Sequence, residues 1–305
     1  MKTLRRQRGT IGGVCSAVLT PLDADLRPDA ARAVRFYSAL LNAGCDALNI
    51  LGTTGEANSV ALRDRLVFME AIATAGLPME RLMIGTGSSS VHEAIELTKA
   101  AVQFGFGGTL VLPPFYYKNV FDDGVLAYFA AICDGVDDDR ARIYLYHFPQ
   151  MSAMPFGLPL IARLVAAYGE RIAGLKDSSG DLAYARSVAD QFPDIDVFPS
   201  TEAILREART QGFAGCISAT VSLAAPLAAQ IWRAEASEDA QAALTLVRQT
   251  VAKKPLIPAV RYLTARLQGD AAWERLLPPM TALGAQEKAD LDRELASTWL
   301  GPRLR

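Results

Sequence analysis

The sequence predicts an α/β fold, a (β/α)8 TIM barrel with additional C-terminal helices. Short apolar and β-branched runs recur along the 305 residues, and an amphipathic segment of helix length follows each of them. This alternation is typical of parallel βαβ units. Eight such runs with short connections favour a closed barrel, because closure removes the exposed edges of a parallel sheet. An open, doubly wound sheet is the alternative.

The predicted elements follow one another in regular order. Predicted strands cover residues 11–18, 46–51, 82–86, 109–112, 142–146, 172–176, 195–199 and 215–219. Predicted helices cover residues 29–42, 60–75, 91–104, 121–134, 157–168, 181–191 and 202–210. Most of these helices begin after a Ser, Thr or Asp, residues that can cap the first turn.

The chain is predicted to be a single structural unit, because barrels routinely reach about 250 residues as one domain. Residues 1–220 are predicted to form the barrel core. Residues 221–305 are predicted to be a helical extension packed on the barrel. This extension is rich in Ala, Leu, Arg and Glu, and Pro255, Pro258 and Pro278-Pro279 divide it.

Composition argues against several classes of partner. The formal net charge of −2 and the pI of about 5.8 provide no general positive field for nucleic acid. No apolar run approaches the ~18–20 residues of a membrane span. We interpret the basic start, Lys2, Arg5, Arg6 and Arg8, as a tail before the first strand rather than a signal peptide, because Gly12-Gly13 interrupt the apolar run that follows.

Cysteine and histidine usage argues against a disulfide framework and against a zinc site. Cys15, Cys45, Cys133 and Cys216 are far apart and form no CxxC pair, which favours reduced thiols in a cytoplasmic protein. His92 and His147 are the only histidines, so a zinc site of the usual kind is not expected.

Polar and aromatic groups collect where predicted strands end. In barrels of this kind the reactive groups lie at the C-terminal ends of the strands and in the loops that follow. The groups at these positions are Gly52-Thr53-Thr54-Gly55-Glu56, Pro113-Pro114-Phe115-Tyr116-Tyr117, Tyr146, Lys176 and Ser218-Ala219-Thr220. They are therefore expected to converge on one face of the barrel.

Lys176 is the most informative of these residues. It ends the apolar strand 172–176, where a lysine costs free energy unless it has a task or a partner. Strand alternation predicts that Lys176, Gly174 and Ile172 share a face and that Gly174 leaves room for a bound molecule beside the amine. Such an amine can attack a carbonyl. The alternative is a lysine that reaches water or pairs with Asp177.

Tyr146 is predicted to lie one strand away at the same height as Lys176. A tyrosine there can pass protons to and from an amine, a carbinolamine and a substrate hydroxyl. The alternative is a barrel-lining aromatic whose hydroxyl bonds a backbone group. Alternation turns His147 away from the face of Tyr146, so we interpret His147 as structural and His92 as a surface residue.

The two loops have functional and structural interpretations. The turn at residues 52–56 supplies two hydroxyls and several backbone N–H groups between glycines, which suits a carboxylate held close to the main chain. It can also be an ordinary Gly-rich loop before a helix. Tyr116 and Tyr117 can likewise be packing residues of a Pro-rich loop.

With these motifs in place, the chain resembles the dihydrodipicolinate synthase / N-acetylneuraminate lyase family of class I, Schiff-base pyruvate aldolases. The resemblance runs over nearly the whole chain. Its motifs are AVLTP at 17–21, GTTGE at 52–56, PPFYY at 113–117, Tyr146 with Pro149, GLKDSSGD at 174–181 and GCIS at 215–218.

The resemblance implies a role for each site residue. Lys176 forms the Schiff base with a 2-oxo acid, and Tyr146 donates and accepts protons. Thr54, with the backbone of Gly52 and Gly55, holds the carboxylate, and the carbonyl of Ile217 faces the bound oxo acid. Thr53 joins a proton relay with Tyr117, or with Tyr116, since this loop carries one extra residue.

The resemblance also implies a homotetramer, a dimer of dimers in which the relay tyrosine reaches a neighbouring active site. It implies metal-independent chemistry with no cofactor, in which the iminium at Lys176 stabilises an enamine that makes or breaks a bond with an aldehyde.

One departure concerns the substrate. Dihydrodipicolinate synthases usually carry an arginine two residues after Pro149, where it binds the carboxylate of the aldehyde. Here Met151 stands at that position, and His147 replaces the usual asparagine. A 2-keto-3-deoxy sugar acid, or another 4-hydroxy-2-oxo acid, is therefore an equal candidate.

Other functions compete with the aldolase. The first is a dehydratase or aldolase of a 2-keto-3-deoxy sugar acid, which makes the chain a carbon–carbon or a carbon–oxygen lyase. The second is a barrel that binds a 2-oxo acid and regulates without catalysis, although such a change would be expected to erode Lys176 or Tyr146. A class II aldolase is disfavoured by the two separated histidines, and no glycine-rich phosphate loop follows strand seven or eight.

Overall fold

The computed structural model describes residues 11–304 and contains the predicted barrel. Its strands are β1 (Gly13–Ala17), β2 (Ala47–Ile50), β3 (Leu82–Gly85), β4 (Gly108–Val111), β5 (Ile143–His147), β6 (Ile172–Asp177), β7 (Asp196–Pro199) and β8 (Gly215–Ser218). All eight lie within two residues of the predicted bounds, and the paired strands are parallel. The predicted fold class is confirmed. The basic residues Lys2, Arg5, Arg6 and Arg8 lie outside the described residues.

Twelve α-helices surround and extend the sheet within residues 11–304. They are α1 (Ala30–Asn42), α2 (Leu62–Ala73), α3 (Val91–Gln103), α4 (Asp122–Val136), α5 (Pro149–Ser152), α6 (Leu158–Tyr168), α7 (Leu182–Gln191), α8 (Leu205–Ala208), α9 (Val221–Trp232), α10 (Glu238–Val251), α11 (Leu256–Gln268) and α12 (Ala285–Leu295). In this part of the chain, no helix has the length and apolar character needed to span a bilayer.

Caps explain where several helices begin. The side chains of Asp29, Ser90 and Asp181 accept hydrogen bonds from backbone N–H groups of the first turns of α1, α3 and α7. These bonds satisfy donors that a helix start otherwise leaves unpaired. The helices α2 and α6 begin after Ala61 and Gly157 without such a bond.

The barrel closes between β7 and β8, which stand at the two ends of the strand order. Strand order is β7-β6-β5-β4-β3-β2-β1-β8, and β1 pairs with both β2 and β8. A hydrogen bond joins β7 to the residue before β8: the N–H of Ala214 donates to the carbonyl of Val197 at 3.0 Å. A Cβ at Gly215 would lie 1.9 Å from the carbonyl oxygen of Gly13, so only glycine permits this close pairing.

Apolar side chains form two layers. An inner cluster fills the barrel and includes Cys15, Leu110, Tyr144, Phe198 and Ile217. Outer clusters fill the space between strands and helices. Side chains of one strand alternate between these layers, as a pleated strand in a barrel requires.

The start of β6 departs from this alternation. The register between β5 and β6 shifts next to Ile143, so that Ile143 pairs with Ile172 while Tyr144 pairs with Gly174. As a result Ile172 packs in the outer layer and Ala173 in the inner one. The prediction that Ile172 shares the face of Lys176 is therefore wrong, since an extra residue in one strand reverses the side-chain direction before it.

The chain after β8 joins the barrel through α9, which packs on β1. Further on, α11 supplies Arg261, whose side chain is fully buried and pairs with Glu56 of the turn after β2. Arg261 also donates to the carbonyl of Thr20 at 2.8 Å. The C-terminal helices therefore contact the C-terminal end of the barrel strands through a buried ion pair.

Candidate active site

Lys176 and Tyr146 form the centre of the site. They are direct partners across β6 and β5, and the Nζ of Lys176 lies 4.3 Å from the centre of the Tyr146 ring. Both side chains are buried, each only 4% exposed. Among residues 11–304, no carboxylate forms an ion pair with this amine, so Lys176 neither reaches water nor pairs with Asp177. An aromatic face is an attractive partner for an ammonium group.

The hydroxyl of Tyr146 belongs to a short chain of hydroxyls. The Oγ1 of Thr53 lies 3.3 Å from it, and the Oγ of Ser178 donates to it at 3.4 Å. Thr53 is therefore close to Tyr146, whereas its predicted relay partner is a tyrosine of the loop after β4. Sequence reasoning did not single out Ser178, although it lies two residues after Lys176, at the strand end where reactive groups are expected.

The turn at residues 52–56 is tightly held. A Cβ at Gly52 would lie 2.6 Å from Asn49 Oδ1, and one at Gly55 would lie 2.8 Å from Thr20 Oγ1. Thr54 between them is buried. Glycine at these two positions lets the side chains of Asn49 and Thr20 pack closely against the backbone of the turn.

Glu56 anchors the end of this turn. Its backbone is left-handed, with φ of 57°, and its side chain is buried. Besides the ion pair with Arg261, its Oε2 accepts the N–H of Leu277 at 2.8 Å. A carboxylate bonded in this way fixes the turn rather than entering the reaction.

Ile217 lies in the inner layer at the end of β8. The next residue, Ser218, faces outward and accepts a hydrogen bond from Arg248 of α10 at 2.8 Å. Arg248 also pairs with Glu202 at 3.0 Å, and Glu202 accepts a hydrogen bond from Thr220. This outer network holds the ends of β7 and β8 together.

The two tyrosines of the loop after β4 are not brought to this centre. Tyr116 and Tyr117 are 73% and 72% exposed, and their rings meet edge to face at 5.2 Å. Within the described part of the chain, no hydrogen bond joins either hydroxyl to Thr53 or Tyr146.

The space beside Gly174 is occupied. A Cβ there would lie 2.5 Å from Cδ1 of Tyr144 and 2.4 Å from the carbonyl oxygen of Asp196. The expectation that Gly174 leaves room for a ligand is therefore wrong, because the Tyr144 ring from the neighbouring strand fills that room. Glycine is needed there for packing inside the barrel.

A second pair lies behind the first. His147 and Asp177 are the next partners across β5 and β6, with His147 Nε2 4.0 Å from Asp177 Oδ1. His147 faces outward, stacks on Tyr184 at 4.2 Å and accepts the N–H of Phe156 at Nδ1. Burial lowers the pKa of His147 to about 4 and raises the pKa of Asp177. His147 is therefore neutral at pH 7.

A small cavity extends from Tyr146 under the turn. Its lining includes Gly52, Thr53 and Arg65 of α2. Arg65 is buried and donates from Nη2 to the carbonyl of Gly85 at 2.8 Å, while its Nε has no hydrogen-bond partner in the structure. Burial lowers the pKa of Arg65 to about 10, which leaves it cationic at pH 7. This positive charge beside the cavity suits an anionic ligand.

The thiols and acids of residues 11–304 do not form a metal centre. In that range no group of three or more His, Cys, Asp or Glu side chains is placed to hold an ion. All four cysteines are free and buried, and burial raises the pKa of Cys45 to about 12 and of Cys133 to about 11. The site therefore consists of an amine, a phenol and hydroxyls.

Comparison with known proteins gives one consistent family. Residues 10–298 match the model of the dihydrodipicolinate synthetase family. An uncharacterized DapA-like lyase from Chloroflexus aurantiacus is 34% identical over 294 residues, covering 94% of this chain and 98% of the relative.

Solved structures agree with this match. Dihydrodipicolinate synthase from Agrobacterium tumefaciens is similar with a TM-score of 0.86 and 26% identity, covering 94% of this chain and 99% of that one. YagE from Escherichia coli, a dihydrodipicolinic acid synthase family protein solved in complex with pyruvate, is similar with a TM-score of 0.83 and 26% identity, covering 93% and 97%.

Proposed function

The chain belongs to the dihydrodipicolinate synthetase family, and on this premise we propose that it is a class I aldolase-type lyase in which Lys176 forms a Schiff base with pyruvate or a related 2-oxo acid. The enamine derived from that Schiff base makes or cleaves a carbon–carbon bond with an aldehyde. Relatives of the chain are named DapA-like lyase and 4-hydroxy-tetrahydrodipicolinate synthase, which supports the reaction class.

The observation that carries the proposal is the position of Lys176. It is the only buried lysine in residues 11–304, it lies at the C-terminal end of a barrel strand, and its neighbour is the Tyr146 ring rather than a carboxylate. An amine buried without an anionic partner costs free energy, so a catalytic task explains its presence. The neutral amine is a nucleophile toward carbonyl carbon.

Lys176 and Tyr146 can together carry out each step of the proposed reaction. The Lys176 amine adds to C2 of the 2-oxo acid to give a carbinolamine, which loses water to become an iminium ion. Loss of a proton from C3 gives an enamine, whose C3 adds to the aldehyde carbon. Tyr146 moves the protons, since its hydroxyl lies within reach of Thr53 and Ser178. Hydrolysis of the product iminium returns the amine.

The remaining roles rest on the resemblance and on position. Thr54, Gly52 and Gly55 would hold the carboxylate against the backbone of the turn, and the carbonyl of Ile217 would face it. Arg65 beside the same cavity would add positive potential.

The relay tyrosine and the assembly belong to the same proposal. Tyr117, or Tyr116, would reach the relay of a neighbouring subunit in a homotetramer. Their exposure in one chain supports this, because a residue that serves another subunit must project outward. A cytoplasmic location and metal-independent chemistry also belong to the proposal.

Met151 weakens the case for an aldehyde that carries a carboxylate. The residue that stands where an arginine would bind an aldehyde carboxylate is an apolar, 58% exposed methionine. A 2-keto-3-deoxy sugar acid is therefore retained as a substrate of the same Schiff base, cleaved or dehydrated. Product analysis separates the two reactions, because cleavage releases an aldehyde and dehydration releases only water.

Borohydride trapping tests the proposal. The protein is incubated with pyruvate, reduced and digested, and the adduct is located by peptide mass spectrometry. We expect an adduct confined to Lys176, lost in Lys176→Ala and retained in Lys99→Ala, which removes an exposed lysine of α3. Turnover in the presence of EDTA is expected to be unchanged. Absence of an adduct with pyruvate and with longer 2-oxo acids would overturn the aldolase and favour a regulatory barrel that binds 2-oxo acids.

A further inference from the structure

The part of the site above Tyr146 is apolar. Phe148, the residue after β5, places its ring 5.7 Å from the Tyr146 ring at a 34° tilt. Phe115, from the loop after β4, packs against the inner cluster that contains Tyr146 and is itself half-buried. Met151, one turn beyond Phe148 in α5, is 58% exposed. A substrate that extends outward from Lys176 past Tyr146 therefore meets the Phe148 ring, and Phe115 and Met151 lie on the segments that follow β4 and β5.

Two polar side chains on the segments after β4 and β5 are already engaged with backbone carbonyls. The amide of Gln150 donates to the carbonyl of Ser179 at 2.8 Å. The ammonium group of Lys118 donates to the carbonyl of Phe115. Their hydrogen-bond donors are thus directed at the backbone rather than at the opening above Tyr146.

Other cations near the catalytic end lie elsewhere. In the described loops that directly follow strands, the only basic residue besides Lys118 is Arg27, which lies in an exposed turn closed by Asp23. Arg65 lines the cavity under Gly52 and Thr53, where the carboxylate of the 2-oxo acid itself is proposed to bind. Neither is placed among the residues that surround Phe148.

We propose that the aldehyde partner carries an aromatic or bulky apolar group, as benzaldehyde does, and that Phe148, Phe115 and Met151 bind it. This inference rests on the proposed aldolase function and narrows its second substrate. A carboxylate or hydroxyl of the aldehyde would be desolvated against Phe148, Phe115 and Met151, whose side chains offer it no hydrogen bond, whereas an aromatic ring gains contact with Phe148. The step is the aldol addition: C3 of the enamine bonds to the aldehyde carbon, and the aldehyde oxygen takes a proton to become the 4-hydroxyl.

The more exposed aromatic residues of the loop after β4 are not part of this surface. Tyr116, Tyr117 and Phe121 are 73%, 72% and 86% exposed. They project away from the barrel, and contact with a second copy of the chain would cover them. Only Phe148, Phe115 and Met151 are proposed to bind the substrate.

The test compares three aldehydes with pyruvate as the common donor. Initial rates of aldol formation are measured with benzaldehyde, with succinic semialdehyde as the carboxylated probe and with glyceraldehyde as the hydroxylated probe. We expect kcat/KM for benzaldehyde to exceed the other two by at least about tenfold, the scale of one apolar contact in a pocket.

Met151→Arg tests the proposed residue, because it restores a cation at the apolar position. It is expected to raise kcat/KM for succinic semialdehyde about tenfold and to lower that for benzaldehyde by a similar factor. Val67→Arg is the matched control, since Val67 is also 58% exposed but lies on α2, outside this surface. Its preference should equal that of the wild type.

Imine trapping tests the proposed aldolase, and aldehyde preference tests the aromatic substrate. If borohydride traps pyruvate on Lys176 but the carboxylated or hydroxylated aldehyde is used as well as benzaldehyde, the aromatic assignment is wrong and the aldolase stands. An unchanged preference in Met151→Arg with intact imine trapping would also overturn the assignment. If no adduct forms at all, the proposed function fails before any aldehyde is compared.

Discussion

The Nζ of Lys176 lies 4.3 Å from the centre of the Tyr146 ring, and the two residues are paired across neighbouring strands of the barrel. The amine therefore faces a phenol whose hydroxyl is in turn 3.3 Å from Thr53. The proposed nucleophile and the proposed proton carrier therefore share one buried site.

Tyr146→Phe should separate imine formation from turnover. The variant keeps the ring beside Lys176 and removes the hydroxyl that Thr53 and Ser178 contact. We expect kcat to fall by about 10²–10³, the usual contribution of a positioned proton donor and acceptor. Pyruvate should still be trapped by borohydride, more slowly. Wild-type kcat in this variant would remove Tyr146 from the mechanism.

Thr53 offers a smaller test of the same chain of hydroxyls. Thr53→Val preserves the shape of the side chain but loses the contact with the Tyr146 hydroxyl, so we expect kcat to fall about tenfold, which corresponds to about 1.4 kcal/mol. Thr53→Ser keeps the hydroxyl and should stay close to the wild type. Equal losses in both variants would indicate a packing role instead.

His147 should make stability depend on pH. Because burial lowers its folded-state pKa to about 4, below the value near 6.5 of the unfolded chain, the unfolded state binds more protons between these values. The stability from His147 is therefore complete above pH 6.5 and is lost as the pH falls toward 4, by about 2 kcal/mol after allowance for partial solvation. The raised pKa of Asp177 opposes this loss, since protonation of Asp177 favours the folded state.

Urea unfolding at pH 7, 5.5 and 4.5 measures this effect. His147→Asn keeps a hydrogen-bonding side chain but does not titrate, so its stability should change less across this range than that of the wild type. Parallel curves for the two proteins would show that the pKa of His147 is the same in the folded and unfolded states.

The buried Glu56–Arg261 pair should contribute strongly to the free energy of unfolding, because it joins the turn after β2 to α11. Arg261→Met leaves the buried Glu56 carboxylate without its cation, which typically costs about 3–5 kcal/mol of unfolding free energy. Lys253→Met is the control, because Lys253 pairs with Glu294 at the surface. Urea unfolding should show a large loss for the first variant and no measurable loss for the second. Similar losses would contradict the assigned role of the buried pair.

The thiols should be inert in the folded protein. All four are buried, and raised pKa values disfavour the reactive thiolate. Ellman's reagent should therefore react slowly with the native chain and should report four thiols after unfolding in denaturant. Rapid reaction before unfolding would show that a cysteine is accessible, and fewer than four thiols under non-oxidising conditions would show a disulfide.

Much of the site could be predicted because its signals are local. A lysine at the end of an apolar strand and a tyrosine at the end of the strand before it are visible in short stretches of sequence, and parallel strands in one barrel bring such ends together. Alternation also predicted that His147 faces away from Tyr146, and the structure places it against Tyr184. The positions of Lys176 and Tyr146 follow from these signals, whereas the roles of all the site residues stay predictions.

Periodicity over a few residues was enough to predict the eight strands and the face on which Lys176 and Tyr146 meet. The tertiary structure decided the outward direction of Ile172, which follows from a register shift between strands. It also decided that Tyr144 fills the space beside Gly174 and that Arg261 pairs with Glu56 across 205 residues of chain. These contacts join residues far apart in sequence, so close packing of whole elements selects them and no local pattern encodes them.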